Sequence, residues 1–407
     1  MTTLAVAPVR PAYREGGYLR FVIGQAVSVL GDNVWGVALA WAAVRVASPG
    51  VAGVVLAVSA VPRLVLLLFG GPLADRYDAR KLMIGSDALR AVVTLVAAAI
   101  ALRQSSLGLL VVVALVFGAV DAVFLPAAGS VRPRLLRPEQ YSGGAALYEF
   151  SMRGALTLGA PVGGLLVAFG GLPLACVVDA ATFGLSMVAL WRLRPRPVER
   201  TGDAEPYSVA LRGGLRYLAR HRVLRIGLAA GLLSNLGFVG PLNVGLALLA
   251  HDRGWGPAGI GAMLAGFGVG AAAMALLLIR VRVRRWLGGA VALGCLAQGG
   301  AIVLLGFAPA LPFAVAATVG IGLASGFMGI HMTTVSQANT GDAYRGRVAS
   351  VSTLANLGIT PLAIAGFGAL AGLVGDAPMF AVSAVLSVAA SALCLASRDY
   401  RHAAVAR

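Results

Sequence analysis

The feature that most constrains this chain is a succession of unbroken apolar runs, each about 20 residues long. One reads FVIGQAVSVLGDNVWGVALAWAAV, residues 21–44. At ~1.5 Å of rise per residue, a helix of that length matches a ~30 Å hydrocarbon core. Strands of a transmembrane barrel would instead show ~10-residue segments of alternating polarity. Composition agrees: 59% of residues are hydrophobic and 12% are charged, against about 25% charged in a soluble domain. The expected fold class is an all-α membrane protein.

Twelve runs are expected to span the bilayer, at about 19–44, 51–73, 82–102, 107–128, 144–168, 173–193, 224–249, 257–279, 287–307, 311–334, 347–372 and 377–397. The net charge of +17 tests this count. With the N-terminus inside, the outer loops carry only Arg45, Arg103 and Arg253, and the spans hold Arg63, Arg90 and Arg153. Every other one of the 33 basic residues falls inside. That asymmetry is the positive-inside rule, so the charge is topological and no nucleic-acid partner is expected. Both termini are expected on the cytoplasmic side of a bacterial cytoplasmic membrane, in a monomer. Cys176, Cys295 and Cys394 fall in separate runs with no metal-ligand spacing, so neither a metal nor another cofactor is expected.

The organisation expected is 1–193 as a first six-helix bundle, 194–223 as a cytoplasmic linker and 224–407 as a second bundle. Within the linker, YSVALRGGLRYLARH spaces Val209, Leu211, Leu215 and Leu218 among arginines. It reads as an amphipathic helix on the inner leaflet, or as a solvated linker helix. The halves repeat: Ser28, Leu30 and Gly31 of SVLGD match Ser234, Leu236 and Gly237 of SNLGF, and Phe238 stands where Asp32 stands. Two pseudo-symmetric six-helix bundles form a transporter architecture, with its site near the midplane.

GGPLADRYDARK, Gly71 to Lys81, resembles the loop 2–3 signature of the major facilitator superfamily, G-x-L-A-D-R-x-G-R-K. Asp78 replaces its glycine and Ala79 its first basic residue. The D-R-x-D-x-R variant, GDAYRGRV (341–348) and LRGGLRYL before the seventh span resemble the branch of enterobactin-type exporters and macrolide efflux proteins. The resemblance implies a cytoplasmic latch built from Gly71, Asp75, Arg76, Arg80, Arg345 and Arg347. In it Asp75 meets the N-terminus of the eleventh span, and Arg76 and Arg80 pair with carboxylates. RGALTLGAPVGGLL resembles the antiporter motif through Gly159, Pro161, Gly163 and Gly164, with its proline displaced by one residue. The plainer reading is a glycine-rich packing face.

Charges inside spans are costly and mark function or pairing. They are Asp32, Arg63, Asp87, Arg90, Asp121, Glu149, Arg153 and Asp179, all in the first half. By helical rise, Asp32 lies ~18 Å and Arg63 ~15 Å from the inner face, so the two are expected to pair. Asp121 and Arg153 come out at comparable depth, and Glu149 and Arg153 are spaced i,i+4. Asp32, Arg63, Asp121, Glu149 and Arg153 are therefore the proton-coupling candidates; a purely structural ion network is the alternative. Gln25, Ser28, Asp32 and Trp35 share a helix face. With Asn235, Phe238, His331 and Asn356 they are the candidates for the substrate cavity, which the resemblance places along spans 1, 4, 7 and 10. His331 also fits a satisfied interior histidine, and Asp179 a structural acid.

No phosphate-binding G-x-x-x-x-G-K-[ST] loop occurs and no catalytic constellation stands out, so a transporter rather than an enzyme is expected. The reading is proton-coupled efflux of a small amphipathic molecule such as a drug, macrolide or siderophore. The alternatives are an importer or facilitator of the same fold, or a transporter-like lipid flippase or receptor.

Overall fold

The computed structural model describes residues 11–66, 77–196, 207–280, 286–341 and 344–403. Among them the regular elements are helices and no strand occurs. In chain order they are α1 (Gly16–Val46), α2 (Pro49–Leu66), α3 (Ala79–Ala101), α4 (Leu107–Val131) and α5 (Tyr141–Trp191). Next come α6 (Tyr207–Arg220), α7 (Arg222–Asp252, with a π-helical turn at Pro241–Gly245) and α8 (Gly256–Arg280). The series ends with α9 (Leu287–Gly306), α10 (Leu311–Ala338), α11 (Arg345–Val374), α12 (Asp376–Ala396) and the short α13 (Arg398–Arg401).

Eleven helices among the described residues are long and apolar enough to cross a bilayer. The expected twelfth crossing lies inside α5, whose 51 residues are broken at Gly171, φ 64°. Only glycine adopts that left-handed backbone without cost, and Pro173 just beyond it restarts the helix. The chain therefore folds as an all-α membrane protein with the expected number of crossings. Its outward surface suits lipid: Leu89, Val92, Leu95 and Val96 of α3 are each about half exposed. Asp78, which stands where the loop signature has glycine, accepts from the backbone of Arg80 (2.9 Å) and Lys81 (3.3 Å) and so caps the start of α3.

Two compact units are present: residues 1–38 with 61–201, and residues 39–60 with 202–407. In the first, Tyr18, Phe21, Met83, Phe124 and Leu190 form a core near the start of α1 and α3 and the end of α4 and α5. The Tyr18 hydroxyl donates to the Gly144 carbonyl at 2.6 Å. In the second, α8 and α10 approach so closely that a Cβ on Gly322 would lie 2.1 Å from the Phe267 carbonyl. The start of α2 belongs to this unit and packs on α11, where a Cβ on Gly53 would sit 2.7 Å from Gly368 Cα.

The linker helix α6 is held in part by protein. Leu211 and Leu218 pack with Leu224, Val348 and Val351, while Val209 and Leu215 stay exposed. Gly214 permits this docking, since a Cβ there would lie 2.7 Å from the Arg347 carbonyl. The Tyr217 ring stacks on Tyr344 at 4.4 Å.

Candidate functional site: a shared arginine and a polar cavity

In the first unit, the charges expected to pair by depth meet differently. The guanidinium of Arg90 on α3, 1% exposed, is shared by three carboxylates. Its Nη2 donates to Asp87 Oδ1 at 2.8 Å, and its Nη1 to Asp121 Oδ1 at 3.3 Å and Asp32 Oδ1 at 3.4 Å. The rings of Phe124 and Phe183 each lie 4.6 Å from its Cζ and exclude water from its faces. Arg63 on α2 pairs with Asp121 at 3.4 Å. The expected Asp32–Arg63 pair is thus replaced by Asp32–Arg90 and Arg63–Asp121. Helical rise gives a depth but does not encode which side of a helix faces which neighbour.

Asp179 completes the cluster. It is fully buried, lies within electrostatic reach of Arg90, and its Oδ2 has no hydrogen-bond partner, as is true of Asp87 Oδ2. The backbone of α1 presses on it at Gly31, where a Cβ would lie 2.5 Å from Asp179 Oδ1 and 2.0 Å from Thr182 Oγ1. Glu149 and Arg153 stand apart: both are exposed and neither enters an ion pair among the described residues. Asp121, expected at a depth comparable to Arg153, meets Arg63 and Arg90.

The α1 face expected to line a cavity is largely occupied by protein. Gln25, Ser28 and Trp35 are 3%, 2% and 5% exposed, with Trp35 against Phe117 at 5.4 Å. Asp32 alone on that face reaches partial exposure, at 35% of its side chain. Gly159 and Gly163 of the antiporter-like motif explain the tight fit. A Cβ at either would come within 2.8 Å of α1, at Asn33 and Val34. Gly164 is buried beside them and Pro161 half-buried.

The second unit holds a cavity of about 650 Å³. Asn235, Phe238 and Asn356 line it, together with Ser234 and Met328 and with Gln298 and Ser325, the last two of which sequence reasoning did not single out. His331 is not among the lining residues. It is 3% exposed, its Nδ1 is 2.7 Å from the Phe327 carbonyl, and it rests against the Phe327 ring. Of the latch residues, Gly71, Asp75 and Arg76 lie outside the described residues. Among the described residues the Arg80 guanidinium meets no carboxylate; it donates to the carbonyls of Leu190 (3.0 Å) and Trp191 at the end of α5. A helix C-terminus, with its spare carbonyls and partial negative charge, supplies these acceptors. Arg347 packs over the Tyr344 ring at 5.4 Å and Arg345 lines the cavity.

These helices, and the matched glycines of the two halves, agree with the comparison to known sequences. The sequence profile of the Major Facilitator Superfamily matches residues 21–363. The chain belongs to that superfamily. Similar relatives include the multidrug efflux pump Tap of Mycobacterium tuberculosis (strain ATCC 25618 / H37Rv) and its counterpart in Mycobacterium bovis (strain BCG / Pasteur 1173P2). Each is 26% identical over 363 residues, 83% of either chain. Among solved structures, a point mutant of the nucleoside transporter NupG superposes with a TM-score of 0.76 at 13% identity, covering 93% of this chain and 99% of its own. A bacterial homolog of the human lysosomal transporter Spinster gives 0.73 at 15% identity, covering 95% and 97%.

As a member of the superfamily the chain is a multi-pass membrane transporter, and the two sites have chemistries a transporter can use. Four carboxylates, Asp32, Asp87, Asp121 and Asp179, surround two guanidiniums. The acids therefore outnumber the guanidiniums by two. The cavity offers amides, hydroxyls and thioethers. Arg90, Asp87 and Asp179 are the residues that sequence reasoning underweighted. Their signal was present: Asp87 and Arg90 are i,i+3 on one helix, the spacing of a same-face pair.

Proposed function

We propose that this protein is a proton-coupled exporter of small amphipathic molecules in a bacterial cytoplasmic membrane, with both termini cytoplasmic. The observation that carries the reading is Asp32, a partly exposed carboxylate on a completely buried arginine that two other carboxylates also hold. Protonation of Asp32 removes one of the three negative charges that hold Arg90. The guanidinium then settles on Asp87 and Asp121, and the hold between α1 and α3 loosens. Loss of that proton to the other side restores it. The bundles 1–193 and 224–407, joined by 194–223, are the bodies this exchange would bias. Export rather than import is supported by the matched multidrug efflux pump and by the antiporter-like glycines against α1.

The test uses proteoliposomes and radiolabelled chloramphenicol as the probe. An imposed pH gradient should drive chloramphenicol movement against its own gradient in the wild type. Asp32→Asn should abolish the driven movement and leave equilibrium binding intact. Undiminished driven transport by Asp32→Asn, or transport indifferent to the pH gradient, would sink the coupling role.

A further inference from the structure

We propose that the cavity of the second unit takes an uncharged amphipathic molecule and reads a hydrogen-bond donor on it through Asn235. The inference rests on the transport reading and names the substrate class of its binding site.

Among the described residues, the wall of this ~650 Å³ cavity contains no Asp or Glu. Its one arginine, Arg345, already has contacts within the protein. A cation entering such a space loses its hydration without gaining a counter-ion, a penalty of several kcal/mol. Amides and hydroxyls are the remaining polar groups, and they suit neutral hydrogen-bonding ligands.

The amides are held in one orientation. Asn356 Nδ2 donates to the Ser352 carbonyl at 2.8 Å, which leaves its Oδ1 as an acceptor. Asn235 Nδ2 fills that acceptor at 2.6 Å. A flipped Asn235 would set two oxygens against each other, so its own Oδ1 is fixed on the other side. That oxygen has no donor. Gln298 has no such spare capacity, because its Oε1 accepts from Ser234 (2.7 Å) and its Nε2 donates to Ser325 (2.9 Å). It braces the wall. Asn235 Oδ1 is thus an enclosed acceptor in an amide that lines the cavity. A small turn about χ2, a soft torsion, presents it to a ligand O–H or N–H. Phe238, Met328 and Met332 supply an adaptable apolar surface for the rest of the molecule.

The experiment is equilibrium binding to the purified full chain in nanodiscs, with no ion gradient. The probes are radiolabelled chloramphenicol, neutral and rich in O–H and N–H donors, and tetraphenylphosphonium, a lipophilic cation with none. Chloramphenicol should bind the wild type, and tetraphenylphosphonium should not displace it. Asn235→Leu should weaken chloramphenicol about tenfold, the worth of one well-made hydrogen bond. The near-isosteric Asn235→Asp should bind tetraphenylphosphonium at least about tenfold more tightly than the wild type, because it gives the cavity the missing counter-charge. Wild-type binding of tetraphenylphosphonium as tight as that of chloramphenicol overturns the proposal. So does an unchanged chloramphenicol affinity in Asn235→Leu, or no gain of cation binding in Asn235→Asp. Because no gradient is applied, the outcome is independent of whether Asp32 couples protons.

Discussion

Arg90 concentrates the energetics of the first unit in one side chain. Three carboxylates depend on its two terminal nitrogens, and Asp87 is fully buried beside it. Removing one partner of a buried ion pair costs about 3–5 kcal/mol, because the other charge is stranded. Arg90→Leu is therefore expected to lower the thermal unfolding temperature in detergent markedly. Arg90→Lys should fall between it and the wild type, since an ammonium is a point charge without the planar fork that serves several acceptors. Equal unfolding temperatures for Arg90→Leu and wild type would mean the cluster holds nothing together. Asp32 was legible in the sequence because a carboxylate inside an apolar run is conspicuous, and its depth followed from counting residues. Its partner was not legible. Depth counting pointed to Arg63, and the packing of α3 beside α1, α4 and the second arm of α5 selects Arg90.

At the scale of elements, glycine determines where helices touch. Gly31 of α1 meets Thr182 on the second arm of α5, and its repeat mate Gly237 of α7 meets Ser383 and Leu386 on α12. The same S-x-L-G turn thus makes the same kind of contact twice, which is how the duplication visible in the sequence became a structural rule. The Gly31 seam differs in kind from the one at Gly53. A methyl added at Gly31 meets two side chains, Thr182 and the buried Asp179, which would have to turn away. One added at Gly53 meets the backbone of Gly368, which cannot. Gly53→Val should cost roughly 1–3 kcal/mol from overpacking and push α2 from α11. Cysteines at Gly50 and Ala369 report this, because a Cβ at Gly50 lies 3.7 Å from Ala369 Cα, within disulfide reach. Cross-linking should be efficient in the Gly50→Cys/Ala369→Cys protein and fall sharply when Gly53→Val is added. Unchanged cross-linking would show that the seam yields. This contact was hidden from sequence reading, which treats every glycine in a span alike. The docking of α6 was hidden for a related reason: periodicity identifies an apolar face without saying whether lipid or protein covers it.

Across the whole molecule, span number was legible and orientation is the larger commitment. Membrane crossings are written in runs of residues, and the one crossing fused to its neighbour is marked by Gly171 and Pro173. Orientation rests on arginine placement alone, and the protein carries a clean background for testing it. Its three cysteines are at most 1% exposed, so a membrane-impermeant maleimide should leave the wild type unlabelled. Gln104→Cys and Asp252→Cys sit at exposed sites in loops expected outside, Glu139→Cys, Ala338→Cys and His402→Cys at exposed sites expected inside. In intact cells the first pair should label and the other three should not; after permeabilisation all five should label. Labelling of His402→Cys in intact cells would place the C-terminus outside. It would also reverse the direction of proton flow that the exporter reading assigns to Asp32, since the side from which that carboxylate loads is set by the same topology.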